Sequence, residues 1–398
     1  MPDSAPDSLE VGPGEAWPYF GEDEVAAVAE VLRSGKVNQW TGTHVKQFEQ
    51  ALAERTGMPY AVALANGSVA LELALRALGI GPGDEVIVAS SSFVASASCV
   101  PLVGATPFFA DVDPDSQNIS AATIEPLITE RTRAVIPVHL AGWPADMPAV
   151  MALAKKHGLS VIEDCAQAIG AKIGSKPVGS FGDASIFSFC QDKIISTGGE
   201  GGMVLFRDAD VWKRGWEFKD HGKSWDLMQE PPSAPGFRWV HETVGTNWRM
   251  TEMQAAIGLV QLKKLDGWLQ DRRRNARIWR EEFKSLSVLR QPMPPDDVTH
   301  AYYKYSVFLE PGRLASGASR DNVLAALVDG GIHALSGFCP EIYREKAFQG
   351  LGTETRPIAH GLGQTSLAFE VHPTLDPQRL ATRARSARAI ISRFEAPR

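Results

Sequence analysis

From residue 61 onward, short apolar runs recur at Ala61–Ala65, Glu85–Ala89, Thr106–Asp111, Arg133–Val138, Leu159–Glu163, Ser185–Phe189 and Met203–Phe206. Their length and their β-branched or apolar character predict strands buried on both faces. Between the early ones, Ser68–Leu78 and Ala145–His157 carry helical spacing. Strand–helix–strand alternation predicts an α/β fold with a mostly parallel central sheet covered by helices. Sheets of this kind bind ligands at the C-terminal ends of their strands. Two helices precede the first strand. Glu22–Leu32 places Val25, Val28, Ala29 and Leu32 on one side and stops at Ser34-Gly35-Lys36. Val45–Arg55 ends near Gly57. Residues 210–245 read as irregular. A long helix then begins near Thr251, with Met250, Met253, Ile257 and Val260 continued by Leu262, Leu265 and Leu269 in one stripe. It leads to a strand at Tyr303–Leu309, a helix at Arg320–Asp329 and a terminal helix from Asp376. The pattern divides the chain into a flexible start (1–15), a large domain (16–260) and a smaller α+β C-terminal domain (261–398).

With 398 residues, 44% hydrophobic and 22% charged, the chain has the composition of a folded globular protein, which excludes extended disorder. A net charge of -7 lacks the basic footprint of a nucleic-acid binder. The basic stretch Asp271-Arg272-Arg273-Arg274 reads as a solvated helix face. Cys99, Cys165, Cys190 and Cys339 are scattered without CxxC spacing, so no metal site is written in them. Each reads as a buried thiol in a reducing compartment. Met1–Glu15 holds no apolar run, and no stretch approaches the ~18 apolar residues of a membrane span. A cytoplasmic protein without a membrane partner is expected.

Two phosphate-loop resemblances fail. Gly222-Lys223-Ser224 has Glu217 where a P-loop needs glycine, and no strand is followed by GxGxxG. Three other segments remain. Asn66-Gly67-Ser68-Val69-Ala70-Leu71 stands where a strand hands over to a helix, and glycine there lets a phosphate approach free N–H groups. The plainer reading is that Ser68 caps the helix. Val161-Ile162-Glu163-Asp164-Cys165-Ala166-Gln167 delivers two acids at a strand end, of which alternation lets one face a given site. Ser188-Phe189-Cys190-Gln191-Asp192-Lys193 ends another strand on a lysine, before the glycine-dense Gly198-Gly199-Glu200-Gly201-Gly202. A desolvated lysine is a nucleophile; the plainer reading is a solvated one. Together, a phosphate cradle, an acid and a lysine at strand ends match what pyridoxal phosphate requires: a Schiff-base amine and a partner for its ring nitrogen.

These segments resemble the DegT/DnrJ/EryC1/StrS family of sugar aminotransferases of fold type I. The likeness also runs through Trp40-Thr41-Gly42, Gly83-Asp84-Glu85-Val86-Ile87, Phe93-Val94-Ala95, Val138-His139-Leu140-Ala141-Gly142, Gly199-Glu200-Gly201-Gly202 and Asn247-Trp248-Arg249-Met250. The resemblance implies that Lys193 forms the internal aldimine and shuttles the proton, and that Asp164 pairs with the pyridinium nitrogen. It places Gln167 near the phenolic oxygen and Phe93 on the ring face. Gly67, Ser68 and Ser188 would hold the phosphate, with Asn247 reaching it from the second subunit of a homodimer. Arg249 would meet a donor carboxylate, and Tyr302 and Lys304 would contact substrate. The implied substrates are L-glutamate as amino donor and a nucleotide-linked keto sugar as acceptor. A keto-cyclitol acceptor is an alternative. So is a sugar dehydratase, against which Lys193 argues, because such relatives carry histidine there. Two departures from the family are Ser68, where threonine is commoner, and Ile194, where asparagine usually follows the lysine.

Overall fold

A computed structural model describes residues 15–231, 236–351 and 354–397. Seven strands form the central sheet in the order Tyr60–Leu64, Gly202–Phe206, Ala184–Ser188, Ser160–Asp164, Thr132–Ile136, Glu85–Ala89 and Thr106–Ala110. Gly202–Phe206 runs antiparallel to both its neighbours, and the other adjacent pairs are parallel. Strand interiors such as Val86, Ile87, Val88, Val161 and Ile162 are buried because helices cover both faces. Helices Gly67–Ala77 and Ala95–Leu102 pack against one face through Leu71, Leu75, Ala97 and Val100, and Met147–His157 covers the other through Val150 and Ala154.

Helix Glu252–Phe283 is started by Thr251, whose Oγ1 accepts the Gln254 N–H at 3.3 Å while Gln254 reaches back to the Thr251 N–H at 2.9 Å. Its deep side is Ala255, Ala256, Gly258, Gln261, Leu265 and Leu269, whereas Met253, Ile257 and Val260 are only half-buried. Gly258 gives Phe48 room: a Cβ there would stand 2.6 Å from the Phe48 ring. Up to Leu269 this helix joins the core of the large sheet; from Ala276 through Trp279 and Phe283 it packs on the C-terminal sheet. That antiparallel sheet runs Leu289–Arg290, Tyr305–Leu309, Ser366–Phe369, Ala334–Leu335 and is backed by helices Arg320–Asp329 and Pro377–Ile391.

Several expectations need correction. Within 210–245 the chain forms helix Ala209–Lys219, started by Asp208, whose carboxylate accepts the N–H groups of Asp210 and Val211. Arg272 is not solvated but 2% exposed, its guanidinium 5.0 Å from the Trp17 ring and its Nη1 on the carbonyls of Tyr303 (3.3 Å) and Tyr302 (3.4 Å). Cys99 and Cys165 are buried, but Cys190 and Cys339 are partly exposed. Of the start expected to be flexible, 1–14 lie outside the described residues, while Glu15 is buried and holds Arg383 Nη2 at 2.6 Å. Among the described residues no helix is long and apolar enough to cross a membrane.

Candidate active site

The adjacent parallel strands Ser160–Asp164 and Ala184–Ser188 end side by side, Asp164 in register with Ile186. Alternation sorts the two acids. Glu163 is fully buried and turned to the chain itself: it accepts N–H groups from Gly179 (2.8 Å), Phe181 (2.6 Å) and Gly182 (2.8 Å) and lies 3.1 Å from His139 Nε2. Burial alone would raise its pKa, but the His139 and backbone hydrogen bonds prevail and hold the carboxyl below its ordinary value. His139 Nδ1 accepts the Ala145 N–H, which leaves the ring proton on Nε2 for Glu163. His139, Glu163 and Cys165 lie within 4.8 Å of one another, but these hydrogen bonds occupy the imidazole and carboxylate as a brace under the sheet end.

Asp164 is 3% exposed, and its oxygens accept from Ser96 Oγ (2.8 Å) and the Ala166 N–H (3.1 Å). Burial pushes its carboxyl up, and Ser96, Ala166 and the charge of Lys193 offset only part of that. A carboxylate so placed is completed by a cationic partner. Ser96 is a site residue that sequence reading missed. Gln167 Oε1 accepts the Ala141 N–H at 2.7 Å, which leaves its amide N–H groups to donate elsewhere.

Asn66, not Ser68, caps helix Gly67–Ala77: Asn66 Oδ1 accepts the Val69 N–H at 3.1 Å, and Ser68 stands exposed in the first turn. The helix start is pressed onto the neighbouring strands. A Cβ at Gly67 would meet Ser188 Cβ at 2.8 Å, and one at Gly202 would stand 2.3 Å from the Asn66 carbonyl. Gly67, Ser68 and Ser188 are thus brought together. Phe93 is 62% exposed, a bare aromatic ring just before the helix that carries Ser96.

Lys193 has a side chain only 14% exposed, with its Nζ 3.4 Å from Asp192 Oδ1 and 3.4 Å from Tyr303 Oη. Tyr303 thus reaches the lysine. Tyr302 instead stacks on His300 at 3.9 Å. Lys304 lies 5.7 Å from the Tyr303 ring and 4.0 Å from Glu370, its pKa lowered by burial. Arg249 is already answered by a carboxylate, its Nη1 2.7 Å from buried Asp220. Asn247 is exposed and accepts the Arg249 N–H at 3.4 Å. The segment lies beside the end of the first strand, where the Ala65 N–H donates to the Trp248 carbonyl at 2.9 Å.

The pressed glycine cradle, the bare ring of Phe93 and the buried acid fit pyridoxal phosphate. The sheet and these residues define a class: fold type I pyridoxal-phosphate-dependent transferases. Comparison narrows it. The sequence profile of the DegT/DnrJ/EryC1/StrS aminotransferase family matches residues 18–383, and the chain belongs to that family and is an aminotransferase. The UDP-N-acetyl-3-dehydro-alpha-D-glucosamine 3-aminotransferase of Acidithiobacillus ferrooxidans is 39% identical over 340 residues, 85% of this chain and 86% of the relative. The L-glutamine:2-deoxy-scyllo-inosose aminotransferase of Streptomyces fradiae is 41% identical over 316 residues, 77% of this chain and 74% of the relative. The X-ray structure of an aminotransferase from Psychrobacter cryohalolentis superposes with a TM-score of 0.93 at 45% identity, covering 95% of this chain and 99% of the other.

Proposed function

We propose that this chain moves an amino group from L-glutamate to the keto carbon of a nucleotide-linked sugar, in two half-reactions that share Lys193. The observation that carries this reading is the Lys193 amine, drawn out of solvent in the loop that follows strand Ala184–Ser188, which adjoins the strand bearing the buried carboxylate of Asp164. Pyridoxal phosphate, when bound, supplies an electron-withdrawing ring that stabilises the charge left on a substrate carbon after its proton departs. Lys193 would hold the cofactor and, once freed, take the substrate proton on Nζ and return it. Asp164 would hold the protonated ring nitrogen. Gln167 would donate its free amide N–H to the phenolic oxygen. Gly67, Ser68 and Ser188 would hold the phosphate at the helix start, whose N–H groups favour an anion. Phe93 would cover one ring face and exclude water from it.

The nucleotide-sugar acceptor is supported by the UDP-linked substrate named for the A. ferrooxidans relative. A second reading, a keto-cyclitol acceptor, is favoured by the inosose named for the S. fradiae relative, which also names L-glutamine as donor. A shared site in a homodimer is supported by Phe237, Trp239 and Val244, which are 79%, 86% and 91% exposed in the single chain. Asn247 would then serve the neighbouring copy. Arg249 and Lys304 carry their charge already paired with Asp220 and Glu370, so a substrate carboxylate would have to compete with those acids. The test is to load the protein with the amino form of the cofactor and add keto sugars and keto-cyclitols one at a time. Return of the aldehyde-form absorbance with a nucleotide-linked keto sugar supports the first reading; return with an inosose alone replaces it by the second. The same absorbance, followed with L-glutamate and L-glutamine, separates the donors.

A further inference from the structure

The amine of Lys193 sits between two groups that also hold each other. Asp192 offers Oδ1 to the amine at 3.4 Å and accepts a hydrogen bond from the Tyr303 hydroxyl on Oδ2. With its proton committed to Asp192, the phenol turns its oxygen to the amine as an acceptor at 3.4 Å. The Tyr303 ring lies beneath the same amine, 4.8 Å from its centroid. Asp192 by itself is a weak holder, because its side chain is 51% exposed and solvent screens it. Tyr303 is the opposite: 5% exposed, and burial holds its phenol protonated.

The phenol is itself fixed from behind. The Tyr303 N–H donates to the Ala141 carbonyl at 2.8 Å, and Arg272 Nη1 grips the Tyr303 carbonyl at 3.3 Å. The N–H of Ala141 is the group that holds Gln167. Tyr303 therefore shares one anchoring residue with a side chain assigned to the cofactor, although it belongs to the segment entering the C-terminal sheet.

We propose that Tyr303 and Asp192 form a two-armed rest that keeps the Lys193 amine inside the site whenever it carries no bond to the cofactor. The inference rests on Lys193 being the cofactor-bearing lysine. A lysine stem is long and mobile, and a free ammonium is strongly drawn to water. Proton return to the substrate requires the amine to wait within reach instead of swinging out. The carboxylate answers the charge the amine gains on taking a proton. The phenol orients that carboxylate and adds a second acceptor without adding charge. Tyr303 and Asp192 are thus positioning residues.

The test uses the full chain without cofactor. Lysines are acetylated competitively with limiting acetic anhydride, and each site is read by peptide mass spectrometry, with exposed Lys156 as the internal standard. Tyr303→Phe keeps the ring and removes only the hydroxyl; Asp192→Asn keeps the shape and removes the charge. Both variants should label Lys193 ~fivefold faster relative to Lys156, about the factor one net hydrogen bond is worth. In a single turnover of the loaded variants, return of the aldehyde-form absorbance should slow by a similar factor while cofactor affinity holds. Unchanged labelling in both variants overturns the proposal. Acceleration in Asp192→Asn alone also overturns it, because the phenol then takes no part. Failure of the wild-type protein to bind pyridoxal phosphate at Lys193 would remove the aminotransferase reading instead, and the labelling result would stand apart from it.

Discussion

The buried placement of Asp164 costs the fold something until a cationic partner answers it. Burial raises its pKa, so the folded chain without cofactor binds a proton there more tightly than the unfolded chain does. The stability linked to that proton is present below the unfolded pKa and is lost as pH rises through the folded one. Asp164→Asn removes the buried charge while keeping an acceptor for Ser96. The cofactor-free variant should melt at or above the wild-type temperature at pH 8, while turnover falls ~100-fold for want of the ring-nitrogen partner. Thermal melts paired with steady-state rates check this; a variant that melts lower and retains its rate would contradict it. The sequence could offer Asp164 because an acid at a strand end is a local pattern. It could not offer Ser96, since that hydrogen bond joins positions 68 residues apart. Tyr303 did not stand out in the sequence: which of two adjacent tyrosines faces the lysine depends on how Ala301 and Tyr303 pair with Gly142 and Ala141. Arg272 looked solvated because its neighbours are charged; the aromatic ring of Trp17, far off in sequence, decides its burial.

At the scale of elements, the site is made where a helix start meets two strands. Gly202 is the tightest point, since a Cβ there collides with the Asn66 backbone rather than with a side chain that could swing away. Gly202→Ala should cost about 1–3 kcal/mol of stability and weaken cofactor binding, because the helix start must back off Ser188. A denaturant midpoint and a cofactor titration measure both, and an unchanged midpoint would show that the helix start yields freely. Apolar runs made the seven central strands legible to within two residues, because most of their positions are buried and turn residues bound them. Helix Ala209–Lys219 was not legible: its buried positions Gly215, Trp216 and Lys219 include a glycine and a lysine, so no apolar stripe marks it. Asp208 before it was the available signal. The two-residue strands Ala334–Leu335 and Leu289–Arg290 are too short to carry any periodicity.

Over the whole molecule, acid should loosen the fold before it reaches the carboxylates. His300 is buried, which together with the charge of Arg273 pushes its pKa down from 6.5 to about 3. Between those values the unfolded chain binds the extra proton, so stability falls as pH drops below 6.5, by up to about 1.4 kcal/mol per unit for this one group. His300→Asn can still accept the Tyr302 N–H and should flatten the decline in melting temperature between pH 7 and 5. An equal slope in both proteins would assign the decline to other groups. The homodimer proposal has a test at the same scale. If Asn247 serves the neighbouring copy, mixing inactive Lys193→Ala with weakened Asn247→Ala should restore about a quarter of the wild-type sites in a random mixture of dimers. Activity that stays at the mean of the two parents would place Asn247 in its own subunit's site. Fold class was legible because the apolar runs that build the sheet are local; the segments around Gly67, Asp164 and Lys193 stood out for the same reason, while the cofactor roles given to their residues came from the family resemblance. The arms that hold Lys193 were not legible, because one of them comes from the segment entering the C-terminal sheet.

The most direct measurement is where the cofactor is attached. The purified protein is incubated with pyridoxal phosphate, reduced with borohydride, digested and read by mass spectrometry. One phosphopyridoxyl group is expected, on Lys193, lost in Lys193→Ala together with transamination. A label on Lys304, Lys219 or any other lysine, with Lys193 unmodified, would contradict it.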